Sequence, residues 1–111
     1  MKDISKELIG AFAVPIILTI LRNGDSYGYE IVQKVKHLTD GKITWQEASI
    51  YPVLKRLEDR GMIKSYWKVE DSERPRKYYT ILEDGKEQLG HNKVQWEMIY
   101  FLLDKLWNPA T

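Results

Sequence analysis

EASIYPVLKRLEDRGMI, residues 47–63, constrains the fold more than any other part of the chain. Its apolar side chains recur at three- and four-residue intervals, at Ile50, Val53, Leu54 and Leu57. This spacing predicts one buried stripe on an amphipathic helix that ends near Arg60, and Gly61 suits the position just after a helix. Thr44 and Glu47 have the spacing of a capping box, which predicts that they close the beginning of this helix.

The other face of this helix carries hydroxyl and cationic side chains. It presents Ser49, Tyr51, Pro52, Lys55 and Arg56. A short helix with such a face suits the major groove of DNA, where hydroxyls bond bases or phosphates and longer cations reach phosphates or guanine edges. We therefore predict that this face contacts DNA. For Tyr51, partial burial within the protein is the alternative.

Two helices are predicted upstream of this segment. Residues 5–22 form a largely apolar helix, which is either buried or covered by a partner chain, and Pro15 is expected to kink or restart it. Residues 27–38 form the second helix, with Ser26 as its N-cap. Tyr27 and Tyr29 lie at the start of this second helix.

A β-hairpin is predicted downstream. The segment MIKSYWKVED, residues 62–71, alternates in the manner of a strand, and RKYYTIL, residues 76–82, is the returning strand. The charged tip presents Arg74, Arg76 and Lys77, which suit DNA phosphates or an adjacent groove. A solvated hairpin end explains Arg76 and Lys77 equally well. Three tryptophans are interpreted as structural: Trp45, Trp67 and Trp107, the last at the edge of a dimer.

The order helix, helix, helix, hairpin, helix predicts a winged helix-turn-helix, a fold that is mainly α with a β-hairpin. The last helix, from about Glu83 to Leu106, spans roughly 36 Å and is too long and too apolar for so small a body to cover. We expect it to pair with a second copy of the chain, with packing on its own domain alone as the alternative. The predicted interface residues are Leu89, Trp96, Ile99, Leu103 and Leu106. We therefore predict a DNA-binding domain at residues 1–82, whose first helix also lines the dimer interface. The dimerisation helix follows at residues 83–111.

The composition supports this interpretation. The 111 residues carry a net charge of only +1, but residues 33–77 hold eleven Lys or Arg and seven Asp or Glu, so the positive charge lies in the middle of the chain. There is no cysteine and there are two histidines, without metal-ligand spacing, and no catalytic motif is found. We expect no enzyme activity, cofactor, metal, membrane span or secretory signal, and a cytoplasmic location.

Three stretches resemble the PadR family of transcription regulators in order and spacing. They are DSYGYEIVQKV (25–35), EASIYPVLKRLEDRGMI (47–63) and RKYYTI (76–81). The likeness covers nearly the whole chain, including the single long C-terminal helix of the small members. It implies a homodimeric winged-helix repressor that binds a near-palindromic DNA operator, often with an effector that relieves binding. By position, the resemblance places Tyr27 and Tyr29 at the start of the second helix. It places Ser49, Tyr51, Pro52 and Lys55 in the recognition helix, and Arg74, Arg76 and Lys77 in the wing.

Trp96 raises the question of an effector. In the multidrug-binding members that this chain resembles, a tryptophan of the last helix faces its dimer mate, and flat aromatic drugs stack between the two rings. A large planar face at a two-fold axis suits such ligands. The residues predicted to line this site are Leu8, Ala11, Val14, Pro15, Trp96 and Tyr100. Two interpretations stay open for Trp96: stacking on a planar aromatic ligand, or filling the dimer core.

Two alternatives to a ligand-responsive repressor also remain. One is a repressor without a small-molecule site. The other is a winged-helix module that contacts protein and not DNA.

Overall fold

The computed structural model describes residues 4–71 and 74–109. The predicted DNA-binding domain begins at residue 1 and the predicted dimerisation helix ends at residue 111, and both of these bounds lie outside the described residues. It contains four helices and three strands in the described residues. In chain order these are α1 (Lys6–Arg22), β1 (Ser26–Tyr27), α2 (Gly28–Leu38), α3 (Glu47–Asp59), β2 (Ile63–Lys68), β3 (Arg76–Ile81) and α4 (Glu83–Trp107). The predicted order of helices and hairpin, and the fold class, are confirmed.

The sheet is antiparallel, with the strand order β1-β3-β2. The hairpin register runs from Ile63 opposite Ile81 to Lys68 opposite Arg76. The short strand β1 adds to the other edge of β3, with Ser26 opposite Tyr79. This third strand anchors the start of α2 to the middle of β3, a pairing that the sequence did not predict.

The predicted N-cap of α2 is wrong because the backbone of Ser26 pairs with β3. Ser26 is fully buried, and its hydroxyl donates to Glu30 Oε1 over 2.5 Å. Tyr27 occupies the N-cap position without a side-chain hydrogen bond. A long-range strand pairing has therefore replaced a local cap at this helix end.

The predicted capping box before α3 is also wrong. Gln46 precedes the first residue of the helix and makes no side-chain cap bond. Glu47 instead accepts a hydrogen bond from the hydroxyl of Tyr51, over 2.8 Å. Trp45 is buried in the core, so hydrophobic packing of its indole sets how the chain enters α3.

The core lies between α1, α2, α3 and the base of the sheet. Its fully buried members include Ile17, Leu18, Ile31, Ile50, Leu54, Leu57 and Ile63. The stripe predicted for residues 47–63 is thus confirmed, except that Val53 is only partly buried. α1 stays one helix through Pro15, whose carbonyl accepts a bond from the Thr19 hydroxyl over 2.6 Å.

The first turns of α4 contain its buried residues, and further along the helix the Trp96 ring still contacts Phe12 of α1. Gly85 and Leu89 are buried, and the Leu82 amide donates to the Met62 carbonyl over 2.9 Å. Beyond this anchor the helix projects, which gives the molecule extents of 61 × 34 × 21 Å. In the described residues, no helix combines the length and apolar character that a membrane span requires.

Candidate nucleic-acid interface

A groove of about 730 Å³ separates α3 from the inner face of the β2–β3 hairpin. We call it the wing groove. Seven of the ten predicted DNA-contact residues line it: Tyr27, Tyr29, Tyr51, Lys55, Arg74, Arg76 and Lys77. Residues far apart in the sequence therefore meet at one surface of the winged helix.

Tyr51 is the best-defined side chain of the wing groove. Its hydroxyl donates to Glu47 one turn earlier, and its ring lies against the first residue of α2, Gly28. Partial burial and the neighbouring Glu47 carboxylate raise the pKa of Tyr51 to about 12. The Tyr51 hydroxyl is therefore neutral at physiological pH. The side chain is partly covered by the protein, which is the alternative that was open for Tyr51, and 44% of its surface is exposed to solvent.

The cations of the wing groove lie on both of its walls. Lys55 Nζ lies 3.6 Å from Asp59, an exposed pair on α3 that contributes little to stability and leaves the ammonium able to reach a phosphate. On the hairpin, the guanidinium of Arg76 lies over the ring of Tyr27, 4.7 Å from its centroid. Lys77 Nζ lies 5.9 Å from the Tyr79 ring centroid. Aromatic rings thus support two of the hairpin cations.

A second set of contacts fixes the hairpin from its outer face. The rings of Tyr66 and Tyr78 stack at 5.8 Å between centroids, and the Tyr66 hydroxyl donates to Asp25 over 2.7 Å. This hydrogen bond is the main reason that the pKa of Asp25 lies below its usual value. Lys68 Nζ pairs with Glu70 at 3.0 Å. The hairpin is therefore tied to the loop before α2 as well as to β1.

Trp67 corrects an interpretation made from the sequence. It was interpreted as structural, and the alternation of β2 puts it on the same face as the buried Ile63. In the structure 67% of its surface is exposed, and it lines the wing groove beside Lys77, its partner in the hairpin register. The strand extends beyond the body of the molecule, so its helix-facing side meets the groove and not the core.

The remaining three predicted residues lie elsewhere on α3. Ser49 and Arg56 line a second groove, of about 590 Å³, between α3 and α1, where Lys6 also lies. Pro52 is exposed and lines neither groove. The predicted face is therefore divided: one flank of α3 faces the wing and the other faces α1.

Sequence reasoning missed Glu47 as a member of this surface. It was assigned to a cap, but its carboxylate lines the wing groove. The available signal was the four-residue spacing of Glu47 and Tyr51, which puts both on one side of a helix.

The surroundings of Trp96 agree only in part with the predicted ligand site. A groove of about 410 Å³ there contains Pro15 and Trp96. The residues predicted from α1 as its neighbours, Leu8, Ala11 and Val14, do not line it, and Phe12 packs edge-on against Trp96 with 5.8 Å between ring centroids. Tyr100 lies stacked on Trp96 at 5.7 Å. The groove is also lined by Leu89 and by residues with polar or charged ends, which are Thr19, Arg22, Asn92, Lys93 and Glu97.

The predicted interface residues on α4 differ in exposure. Leu89 is buried in the core of its own chain, which leaves little of it for a partner. Leu103 is partly buried. Trp96, Ile99 and Leu106 are 48%, 57% and 65% exposed. They belong to a larger set of exposed apolar side chains on this helix, which includes Val94, Met98, Phe101, Leu102 and Trp107.

Comparison with known proteins gives the same picture. The model of the transcriptional regulator PadR-like family matches residues 17–91. Transcriptional regulator YqjI of Escherichia coli is 34% identical over 84 residues, 76% of this chain and 39% of that protein. The negative transcriptional regulator PadR of Bacillus subtilis is 33% identical over 73 residues, 66% of this chain and 40% of that protein. The chain thus spans about two fifths of the length of these two relatives.

Solved structures match over most of both chains. A transcriptional regulator from Clostridium thermocellum superposes with a TM-score of 0.83 at 35% identity, covering 92% of this chain and 96% of that one. A PadR family transcriptional regulator from Eggerthella lenta superposes with a TM-score of 0.75 at 34% identity, covering 91% and 86%. Since the family match runs from α1 into α4 and includes both walls of the wing groove, this chain belongs to the PadR-like family of transcriptional regulators.

Proposed function

We propose that the protein is a homodimeric repressor that binds a near-palindromic DNA operator through α3 and the β2–β3 hairpin. The observation that carries this proposal is the wing groove, where hydroxyls from α2 and α3 and cations from α3 and the hairpin face the same space. Hydroxyl and cationic groups of this kind bind base edges and phosphates of DNA. Residues 1–82 would bind DNA in the cytoplasm, and 83–111 would hold the two copies together.

Dimerisation is proposed from the exposed half of α4. Beyond Leu89 this helix carries apolar side chains on several sides, and an isolated chain would leave about half or more of the surface of most of them in water. A contiguous apolar surface of this kind marks an interface. A second copy of the chain would cover Trp96, Ile99 and Leu106, with Leu103 at the edge of the contact, and would set the spacing of the two α3 helices on DNA.

A planar aromatic effector is the third part of the proposal. Trp96 keeps 48% of its surface exposed, although Phe12 meets its edge and Tyr100 stacks on it. Pro15 lies beside it, while Leu8, Ala11 and Val14 would have to contribute from elsewhere on α1. Glu97 and Lys93 in the same groove carry opposite charges, so a strong preference for cations is not expected.

Salt dependence tests DNA binding. For a duplex covering the DNA that flanks the gene, the affinity should fall with salt at a log–log slope of about −0.9 per phosphate neutralised. The double variant Lys55→Ala/Lys77→Ala should weaken binding and flatten that slope by about two units. Lys86→Ala, which removes an exposed cation of α4, is the control and should leave the slope unchanged. A module that binds only protein would show no affinity for the duplex.

A further inference from the structure

Glu47 puts an acidic side chain on a surface that otherwise suits an anionic partner. It is the first residue of α3, it is exposed, and it lines the wing groove with Lys55, Arg76 and Lys77. Its carboxylate accepts one hydrogen bond, from Tyr51, and it forms no ion pair within residues 4–71 and 74–109. One carboxylate oxygen is thereby oriented, and the other keeps its lone pairs for an outside donor.

Glu58, the other acidic residue that lines the wing groove, is held by a contact with a second element. Glu58 accepts a hydrogen bond from the Ser65 hydroxyl over 2.5 Å, and this bond joins α3 to β2. Glu58 is also partly buried, so its carboxylate is committed to the structure. Glu47 has no such link to another element, since its one partner lies on the same helix.

A carboxylate on a DNA-binding surface has few favourable partners. Phosphates repel it, whereas the exocyclic amino group of cytosine in the major groove donates to it. The beginning of a recognition helix is the part that reaches base edges in helix-turn-helix proteins. Tyr51 holds the carboxylate in one orientation, which reduces the entropy lost when a base binds.

We propose that Glu47 is a specificity-determining residue that reads a cytosine amino group in each half of the operator. This inference rests on the proposed function, because it requires that α3 lies in the major groove. Glu47 would add little to total affinity, since its charge also repels the backbone. Its effect would be discrimination of about 5-fold to 150-fold against the other bases at one position of each half-site, the usual range for one mismatched base pair.

Selection from a pool of random duplexes tests the inference, because the bound sequences themselves reveal the operator. The unaltered protein should enrich a two-fold symmetric sequence with one cytosine position that Glu47→Gln no longer selects. The glutamine keeps an oxygen that accepts from Tyr51, so it removes the charge while preserving the contact within α3. Because glutamine pairs with adenine through two hydrogen bonds, the variant should select adenine at that position.

Glu83→Gln is the matched control, since Glu83 is also exposed at the first residue of a helix but lies on α4. It should enrich the same sequence as the unaltered protein. If Glu47→Gln also enriches an unchanged sequence, Glu47 is only a stabilising acid at a helix beginning and the inference is wrong. If the unaltered protein enriches no sequence, the proposed function itself is wrong.

Discussion

Gly28, the first residue of α2, lies directly against the ring of Tyr51 in the middle of α3. A Cβ at Gly28 would lie 2.8 Å from the Tyr51 hydroxyl oxygen and 2.9 Å from two ring carbons. These distances are shorter than van der Waals contact allows, so only glycine lets the tyrosine lie where it does. The position of a side chain in the wing groove thus depends on a residue of another helix.

Gly28→Ala is therefore expected to weaken DNA binding more than it destabilises the fold. The clash falls on the free end of a flexible side chain, so Tyr51 can swing away and break its bond to Glu47. We expect affinity for operator DNA to fall roughly fivefold to tenfold, the equivalent of one hydrogen bond. Titration of DNA with the variant measures this.

Two further variants show whether this effect acts through Tyr51. Gly90→Ala on α4, where a Cβ meets nothing within 4 Å, should bind DNA normally. In a Tyr51→Ala background, Gly28→Ala should have little additional effect. An equal loss of affinity in that background would mean that Gly28 acts independently of Tyr51.

Alkaline titration should distinguish Tyr51 from an ordinary tyrosine. Its pKa in the folded protein, about 12, exceeds the value of 10.0 for an unperturbed group. The stability that this shift contributes is fully present below pH 10 and is lost as the pH rises towards 12. The difference in tyrosinate absorbance between the unaltered protein and Tyr51→Phe isolates this group, which should still be protonated at pH 10.0.

Glu47→Gln should lower the pKa of Tyr51 only in part. The largest cause of the shift is burial of the hydroxyl, and the glutamate adds to it. An unchanged pKa in Glu47→Gln would contradict a contribution of the Glu47 charge to the shift.

Gly85→Ala is expected to destabilise the whole domain. A Cβ there would overlap the backbone carbonyl of Met62 and the side chain of Ile81, where α4 is anchored to the hairpin. Backbone cannot move aside as a side chain can, so we expect a loss of about 1–3 kcal/mol in the free energy of unfolding. Urea denaturation at one fixed protein concentration measures it. If Gly85→Ala is as stable as Gly90→Ala, Gly85 is not packed tightly against the Met62 carbonyl and Ile81.

Trp96→Ala tests the effector part of the proposal. If Trp96 stacks on planar ligands, binding of a flat aromatic dye such as acridine orange should fall about twofold to tenfold, the equivalent of one aromatic stacking contact. The chain should remain dimeric. Trp67→Ala, which removes the exposed tryptophan of the wing groove, should keep dye binding. Dissociation into monomers with unaltered dye affinity would favour Trp96 as a core-filling residue.

The pattern of residues 47–63 was sufficient to predict α3, its buried stripe and its end near Arg60, because these depend on local features of the sequence. The errors arose where a distant segment determines the outcome. Ser26 has the chemistry of a cap, but its backbone pairs with β3. Glu47 has the spacing of a capping box, yet burial of Trp45 changes the entry into α3.

The sequence predicted which kinds of side chain would contact DNA, but not how they are arranged around the wing groove. Its cations follow from composition and strand pattern. The rotation of α3 in the core decides which residues face which groove. It turns Ser49 and Arg56 towards α1, and it turns Tyr51 and Lys55 towards the hairpin. Leu89 has the heptad spacing of an interface residue, but it is used by the chain's own core.

Sedimentation equilibrium with and without a duplex from the DNA flanking the gene tests the central claim most directly. We predict a free particle of twice the 13.1 kDa chain mass at micromolar concentration, and a complex of two chains on one duplex. A folded monomer that does not sediment with that duplex would contradict the account.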